Sequence, residues 1–129
     1  MMKEFENNGY FWQKVDTLLM SCTLNIINHK GEHHKKYPDF IYPLDFGYLV
    51  SDLNDDSKGI ACYIGHEHQF CNSAIVSVDI LDGECFVQFL IGCNEQQEEQ
   101  VLKFLNQSEF QKTVIIRRAK EIPSWAVLD

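Results

Sequence analysis

The stretch Tyr37-Pro38-Asp39-Phe40-Ile41-Tyr42-Pro43-Leu44-Asp45-Phe46-Gly47-Tyr48-Leu49 decides how the rest of the chain is interpreted. It holds two of the three prolines and three of the five tyrosines of the protein. Each proline fixes its own φ angle and favours extended backbone at the tyrosine before it, so this segment is not an α-helix. Gly47 allows either a turn or the close approach of a neighbouring chain segment. From these residues alone we predict an edge strand that enters a turn, with its aromatic rings in a core.

The motif at residues 42–48, Tyr-Pro-Leu-Asp-Phe-Gly-Tyr, resembles a known family signature. Family I soluble inorganic pyrophosphatases carry Tyr-Pro-x-Asn-Tyr-Gly-Tyr, and a group of short pyrophosphatase-like proteins carries the more similar Tyr-Pro-Leu-Asp-Tyr-Gly-Tyr. The resemblance runs from about Leu24 to about Ile64 and resumes from Ile75 to Leu105. It implies a small, five- to six-stranded antiparallel barrel of the oligonucleotide/oligosaccharide-binding (OB) type. Residues 1–129 are then expected to form a single inorganic-pyrophosphatase-like domain, which the chain length also favours.

Residue patterns elsewhere predict the same mainly β, α+β fold class. Apolar residues at spacings of three and four, namely Phe11, Val15, Leu18 and Leu19, predict an N-terminal helix at residues 10–20. Asp82-Gly83-Glu84 lies between two β-type runs and predicts a hairpin. Asn94 and Gln97 have the spacing of a capping box, which predicts that a second helix begins after this hairpin. Further strands are predicted at residues 23–28, 60–65, 74–81, 85–91 and 113–118.

Composition excludes several classes of function. The formal charge of −8 argues against binding to a nucleic-acid backbone, because such binding requires a basic face. No run of residues is apolar and long enough to cross a bilayer, and residues 1–9 lack the core of a signal peptide, so a cytoplasmic protein is expected. The five cysteines are scattered without any Cys-x-x-Cys, which argues against a disulfide framework. A homodimer is compatible with so small a barrel.

Positive charge is concentrated in residues 29–36, which contain three histidines and three lysines directly before the Tyr-Pro segment. A solvated surface loop and a phosphate-facing lip of a cleft both explain this run, and the residues alone leave the two interpretations open. The resemblance implies the second interpretation. The expected phosphate-binding residues are Lys30, Lys35, Lys36, Tyr42 and Lys58.

Hydrolysis of pyrophosphate requires carboxylates that hold magnesium ions and an attacking water. In the family these carboxylates lie in an Asp-Gly-Asp-Pro-x-Asp motif, which falls without gaps on residues 56–61 of this chain. The first carboxylate is retained as Asp56, whereas Lys58 and Ala61 replace the other two. The resemblance therefore implies Asp56, Asp45 and Tyr48 as catalytic residues, with Asp56 and Asp82 as ligands of Mg²⁺.

Other positions also depart from the family pattern. Phe46 stands where the family has the tyrosine of its Asn-Tyr-Gly element, and Gln88 stands where the family has a basic residue. One family carboxylate falls near Phe86, and an acidic residue of an early strand falls on Ile27. A lysine at a cation site repels the metal ion, and alanine offers no ligand oxygen. We therefore expect a pyrophosphatase-like hydrolase of pyrophosphate or a related phosphoanhydride, with a degenerate magnesium site and weakened or lost activity. Whether the chain is an enzyme or a pseudoenzyme stays open at this point.

Two alternatives belong to other classes of function. One is a non-catalytic module that binds phosphate or a nucleotide on the same scaffold, and the other is an interaction protein with an aromatic surface. Zinc is a less favoured possibility, either at His66, His68 and Cys71 or at three histidines of the basic loop, His29, His33 and His34. Cys93 lies just before the second helix, where a thiol pKa can be lowered, but burial of this cysteine is the favoured interpretation.

Overall fold

Six strands and two helices make up the part of the chain that the computed structural model describes, which is residues 9–51, 59–65, 70–81, 83–107 and 111–118. In chain order they are α1 (Gly9–Ser21), β1 (Cys22–Asn28), β2 (Asp45–Ser51), β3 (Ile60–Ile64), β4 (Cys71–Asp79), β5 (Glu84–Ile91), α2 (Glu95–Leu105) and β6 (Gln111–Arg117). The predicted mainly β class, with one helix before the sheet and one after the Asp-Gly hairpin, is confirmed. No helix in these ranges is both long and apolar enough to span a membrane.

The strands form one mixed sheet in the order β1-β2-β3-β5-β4-β6. Neighbouring strands are antiparallel except β3 and β5, which run in the same direction. This parallel pair arises because the chain reverses between β3 and β4 and again in the β4–β5 hairpin, and β5 then lies between those two strands. Over the described residues no ladder joins β1 to β6, so the sheet is open and OB-like. The parallel β3–β5 pair is a second difference from the predicted antiparallel barrel.

Gly47 shows why the Tyr-Pro segment contains a glycine. It pairs with Ile26 of β1, and a Cβ atom at this position would lie 2.1 Å from the carbonyl oxygen of Asn25. Any side chain would therefore push β1 away from β2. Of the two roles that the sequence allowed for this glycine, close approach of a neighbouring strand is the one that the fold uses.

Each face of the sheet packs against one helix, because side chains alternate along every strand. The α1 face holds Trp12 and Val15 of the helix against Leu49, Cys62, Ala74, Phe89 and Ile91 of the sheet. The α2 face holds Val101, Phe104 and Leu105 against Tyr42, Tyr63, Ile75 and Leu90. The sheet thus separates two apolar layers with different contents.

A buried ion pair joins α1 to the end of β6. Asp16 is fully buried, and Arg118 donates hydrogen bonds from Nη1 and Nη2 to its two carboxylate oxygens, the first at 3.1 Å. The Arg118 guanidinium also lies 5.0 Å from the ring of Trp12. Trp12, with no exposed surface, is the main apolar residue of α1, whereas Phe11 is 37% exposed and lies at the edge of the predicted apolar face.

The β4–β5 hairpin and the start of α2 follow the predicted local signals. Gly83 in the turn has a φ angle of +66°, which glycine adopts without strain. The Asn94 side chain accepts a hydrogen bond from the Gln97 backbone at 2.8 Å, and the Gln97 side chain accepts one from the Asn94 backbone at 3.0 Å. The capping box is confirmed, and it sets the point at which α2 begins on its face of the sheet.

Candidate functional site

A cavity of about 450 Å³ opens on the α2 face. Its walls come from the loop between β1 and β2, from four strands, from the β4–β5 turn and from α2. The lining residues that the structure describes are His34, Lys36, Tyr37, Phe40, Tyr42, Phe46, Tyr63, Asp79, Leu81, Phe86, Gln88, Phe104 and Leu105.

The loop that precedes β2 folds back on itself and brings its basic part to the cavity. The Gly31 backbone donates a hydrogen bond to the Tyr42 carbonyl at 2.9 Å, and the His34 backbone donates one to the Phe40 carbonyl at 2.8 Å. His33 and Ile41 form an isolated antiparallel bridge between the two halves of this loop. The basic residues and the Tyr-Pro segment are therefore neighbours in space as well as in sequence.

Seven of the thirteen lining residues have phenyl or phenol rings, and several of these rings contact one another. The Tyr42 ring lies 5.7 Å from that of Phe46 and 5.3 Å from that of Phe104. Phe46 in turn lies 5.0 Å from Tyr63. Such rings bury apolar area and provide flat surfaces on which a planar group can stack.

The hydroxyls of Tyr42 and Tyr63 stay protonated near neutral pH. Burial, followed by the neighbouring Tyr48 and Glu32, raises the pKa of Tyr42. Burial, followed by Tyr42 and Tyr48, also raises the pKa of Tyr63. These two phenols can therefore donate hydrogen bonds without carrying charge. The Tyr48 ring lies beside them, with its centroid 5.4 Å from that of Phe46.

His34 stands at the cavity wall with one ring nitrogen already in use. Its Nδ1 accepts hydrogen bonds from the backbone N–H groups of Lys36 at 3.1 Å and of Tyr37 at 3.2 Å. In the neutral ring the proton is then on Nε2, so this nitrogen can donate to a bound group. Burial and the nearby Lys36 charge lower the pKa of His34, which keeps the ring neutral at pH 7.

Gln88 is the residue of the described cavity lining whose buried side chain has a polar atom without a hydrogen-bond partner. It lies on β5 opposite Ile75 of β4, and its side chain faces the cavity between those of Phe86 and Leu90. Gln88 is only 7% exposed, and its Oε1 atom has no hydrogen-bond partner among the described residues. A buried acceptor without a partner is costly to the free protein.

The predicted site residues divide into three groups. Tyr42 and Lys36 line the cavity, and Tyr48 lies beside it. Lys30 and Lys35 are exposed residues outside the lining. Asp56, Lys58 and Asp82 lie outside the described residues, as do His66 and His68.

Asp45 has a structural role in the loop before β2. Its Oδ1 accepts a hydrogen bond from the Lys30 backbone N–H at 2.9 Å and lies 3.8 Å from Nδ1 of His29. These contacts hold the start of the basic loop against β2. The catalytic role that the resemblance implies for Asp45 stays a prediction.

The described part of the site does not fit a magnesium ion. No group of three or more histidine, cysteine, aspartate and glutamate side chains that could hold a metal occurs in the described ranges. Ala61 pairs with Tyr48 across the β2–β3 ladder and supplies only a methyl group. Asp79 is the one carboxylate among the described lining residues, and its Oδ1 accepts the Leu81 backbone N–H at 3.0 Å.

The remaining candidate ligands and nucleophiles are engaged elsewhere. The Nδ1 atoms of the three loop histidines have separate partners: that of His29 lies 3.8 Å from Oδ1 of Asp45, that of His33 lies 2.6 Å from the Pro38 carbonyl oxygen, and that of His34 accepts backbone hydrogen bonds. Burial raises the pKa of Cys71 to about 12 and that of Cys93 to about 12. Both thiols are therefore protonated at neutral pH, and the favoured interpretation of Cys93 as a buried residue is confirmed.

Three of the cavity residues are positions at which the sequence departs from the family pattern. Phe46 stands where the family has a tyrosine, Phe86 lies near a carboxylate position and Gln88 stands where the family has a basic residue. All three replacements lose a charge or a hydroxyl. The sequence showed that each position had lost a functional group of the family, but only the fold showed that the three side chains line the same cavity. Phe104 of α2 was missed, although its spacing of three from Val101 places it on the helix face toward the sheet.

Comparison with known proteins gives distant structural likenesses. No protein-family model and no curated protein matches the chain. The inorganic pyrophosphatase of Thermus thermophilus is similar over 75% of this chain and 81% of its own, with a TM-score of 0.47 and 12% identity. That of Helicobacter pylori is similar over 81% and 86%, with a TM-score of 0.46 and 10% identity. That of Neisseria gonorrhoeae is similar over 70% and 75%, with a TM-score of 0.42 and 16% identity.

Proposed function

We propose that this protein binds a phosphate-bearing small molecule with an aromatic ring, such as a nucleotide, in the cavity on the α2 face. The observation that carries the proposal is the composition of the cavity wall. Seven aromatic rings occur together with Lys36, His34 and a buried amide acceptor. Ligand sites are commonly concave and mostly apolar, with a few polar groups that set the orientation of the ligand.

The aromatic lining favours a ligand with a ring over inorganic pyrophosphate. Bare pyrophosphate is small and highly charged, and moving such an ion among apolar rings is costly unless every charge is paired. Among the thirteen lining residues that the structure describes, Lys36 is the one lysine or arginine. A nucleobase, by contrast, gains about 1–3 kcal/mol when it stacks on an aromatic side chain.

The basic loop is the proposed position of the phosphate. Lys36 contributes a positive charge at the cavity wall, and its Nζ lies 5.5 Å from the Tyr37 ring centroid. His34 contributes the N–H of its Nε2 atom, because Nδ1 is occupied by two backbone donors. Charge-assisted hydrogen bonds of this kind are the stronger ones that proteins make to phosphate oxygens.

Binding can be tested by calorimetry and by thermal unfolding with adenosine 5′-monophosphate, adenosine and inorganic phosphate. We expect the nucleotide to bind more tightly than either fragment, and to stabilise the fold by about 2.7 kcal/mol when its concentration is 100 times its dissociation constant. Lys36→Ala should weaken nucleotide binding about tenfold, whereas the control Lys14→Ala, on the exposed surface of α1, should leave it unchanged. Failure of every phosphorylated compound to bind would overturn the proposal.

Magnesium-dependent hydrolysis is the competing function, and it stays a prediction from the resemblance. Its expected metal ligands, Asp56 and Asp82, lie outside the described residues. Release of phosphate from pyrophosphate in excess magnesium distinguishes the two functions. Turnover in the usual enzyme range of about 1–10³ s⁻¹ would contradict a purely binding role.

A further inference from the structure

We infer that the aromatic ring of the ligand carries an amino group, and that this group donates a hydrogen bond to Oε1 of Gln88. The inference rests on the proposed function, because it specifies which part of a phosphorylated ring compound occupies the inner wall of the same cavity. This hydrogen bond makes the protein selective among nucleotides, because some bases have an amino group on the ring edge that faces Gln88 and others have a carbonyl group there.

The strand position fixes where this acceptor lies. On one side of β5, Gln88 pairs with Ile75 of β4, and Val87 pairs with Val76. On the other side of β5, Leu90 pairs with Tyr63 of β3. Gln88 is therefore held on an interior strand with paired neighbours, and its side chain is directed to the α2 face. The backbone at this position cannot move to give Oε1 another partner without loss of ladder hydrogen bonds.

The surroundings of Gln88 exclude the phosphate end of the ligand. Its neighbours on the cavity face are Phe86 and Leu90 along β5, with Tyr63 across the ladder from Leu90. An amide oxygen repels the oxygens of a phosphate, and these neighbours supply no positive charge to offset that repulsion. Within the described part of the lining, the positive charge comes instead from Lys36 on the loop. The ring of the ligand thus faces β5, and its phosphate faces the loop.

An acceptor at the ring edge discriminates between amino and carbonyl substituents. An amino group satisfies Oε1, whereas a carbonyl at the same position leaves two oxygen lone pairs facing each other in a poorly hydrated site. Sites built around a hydrogen bond to the ligand reject analogues that lack it much more strongly than apolar pockets reject a change of size. Tyr63 and Phe86 provide flat apolar surfaces on which the ring can stack, but stacking does not discriminate between an amino and a carbonyl substituent.

Calorimetry with matched nucleotides tests the inference. The first pair is adenosine and inosine 5′-monophosphate, and the second is cytidine and uridine 5′-monophosphate. In each pair an amino group is replaced by a carbonyl group, and the adjacent ring nitrogen then carries a proton. We expect the amino member to bind about tenfold more tightly in at least the pair whose ring size fits the cavity. Gln88→Leu should reduce this preference to within about twofold, because leucine retains a similar volume without the acceptor.

Gln100→Leu is the matched control, since it makes the same chemical change on the exposed side of α2 and should keep the preference. Equal affinities within both pairs in the unmodified protein would overturn the inference while leaving the proposed function intact. Tighter binding of the carbonyl members would also overturn it, because Gln88 would then present its amide N–H groups. If neither the nucleotides nor inorganic phosphate bind, both the inference and the proposed function fail.

Discussion

Two adjacent arginines, Arg117 and Arg118, attach opposite faces of the sheet to different helices. Arg118 pairs with Asp16 of α1, and the two side chains are 4% and 0% exposed. Arg117 pairs with Glu98 of α2 at 3.0 Å, and its side chain is 51% exposed. The α1 face is packed around Trp12, whereas the α2 face retains a cavity with an unsatisfied acceptor. The comparison indicates that the α1 face contributes more to stability than the α2 face, where the cavity of the proposed ligand site lies.

The two ion pairs give the largest expected difference. Arg118→Ala should lower the free energy of unfolding by about 3–5 kcal/mol, because it leaves the Asp16 carboxylate buried and unpaired. Arg117→Ala should cost less, about 1–2 kcal/mol, because solvent screens the half-exposed guanidinium, although the Glu98 side chain that loses its partner is only 6% exposed. Urea denaturation of both variants measures the two losses. Losses of equal size would show that the two faces contribute equally to stability.

Neither arginine could be assigned to a face from the sequence. The run Thr-Val-Ile-Ile-Arg-Arg at residues 113–118 predicts a strand by its β-branched residues, and β6 is found there at Gln111–Arg117. A buried charge at Asp16 contradicts the usual position of aspartate on the surface of a helix. It is possible only because Arg118, 102 residues further along the chain, reaches it. Local periodicity contains no information on such a pairing.

Alkaline pH should affect the α1 face through its two buried thiols. Burial raises the pKa of Cys62 to about 12 and that of Cys71 to about 12, from an ordinary value of 9.0. Because the folded-state pKa is raised, the stabilisation is complete below pH 9 and is lost as the pH rises toward 12. By pH 10 each thiol should account for a loss of about 1 kcal/mol in the free energy of unfolding.

A double variant, Cys62→Ala with Cys71→Ala, isolates this effect. Its free energy of unfolding should fall less steeply between pH 8 and pH 10 than that of the unmodified protein, by about 2 kcal/mol in urea denaturation. Cys85→Ala is the control, since Cys85 is exposed and its removal should leave the slope unchanged. An identical slope in the double variant would mean that these thiols ionise as readily in the folded state as in the unfolded state.

The smallest expected change concerns the α2 face in the absence of ligand. Gln88→Leu should raise the free energy of unfolding by about 1 kcal/mol, because it removes a buried acceptor that has no partner among the described residues. The comparison with Gln100→Leu, at an exposed position of α2, separates this effect from a general effect of added apolar surface. A destabilised Gln88→Leu protein would show that the Gln88 side chain stabilises the ligand-free fold.

The sequence by itself determined the elements whose signals are local. The Asp-Gly hairpin and the Asn94 capping box each depend on residues within a few positions of one another, and both are found in the fold. Around Pro38 the chain instead makes a turn, in which the Phe40 backbone N–H donates to the Tyr37 carbonyl, and the strand that follows, β2, lies between β1 and β3 and is not the predicted edge strand. The sequence also marked Phe46, Phe86 and Gln88 as departures from a resembling family. It could state what chemistry these positions had lost, but not what their new side chains do together.

Only the tertiary structure decided which side chains share a face, because the order of strands in the sheet differs from their order in the chain. The insertion of β5 between β3 and β4 brings Gln88 to the same wall as Tyr63, and the folded loop adds His34 and Lys36. The same arrangement leaves Lys30 and Lys35 outside the cavity, although the chain places them beside Lys36. Contacts between distant segments are set by the packing of whole elements, and this is the physical reason why the site was visible only in the fold.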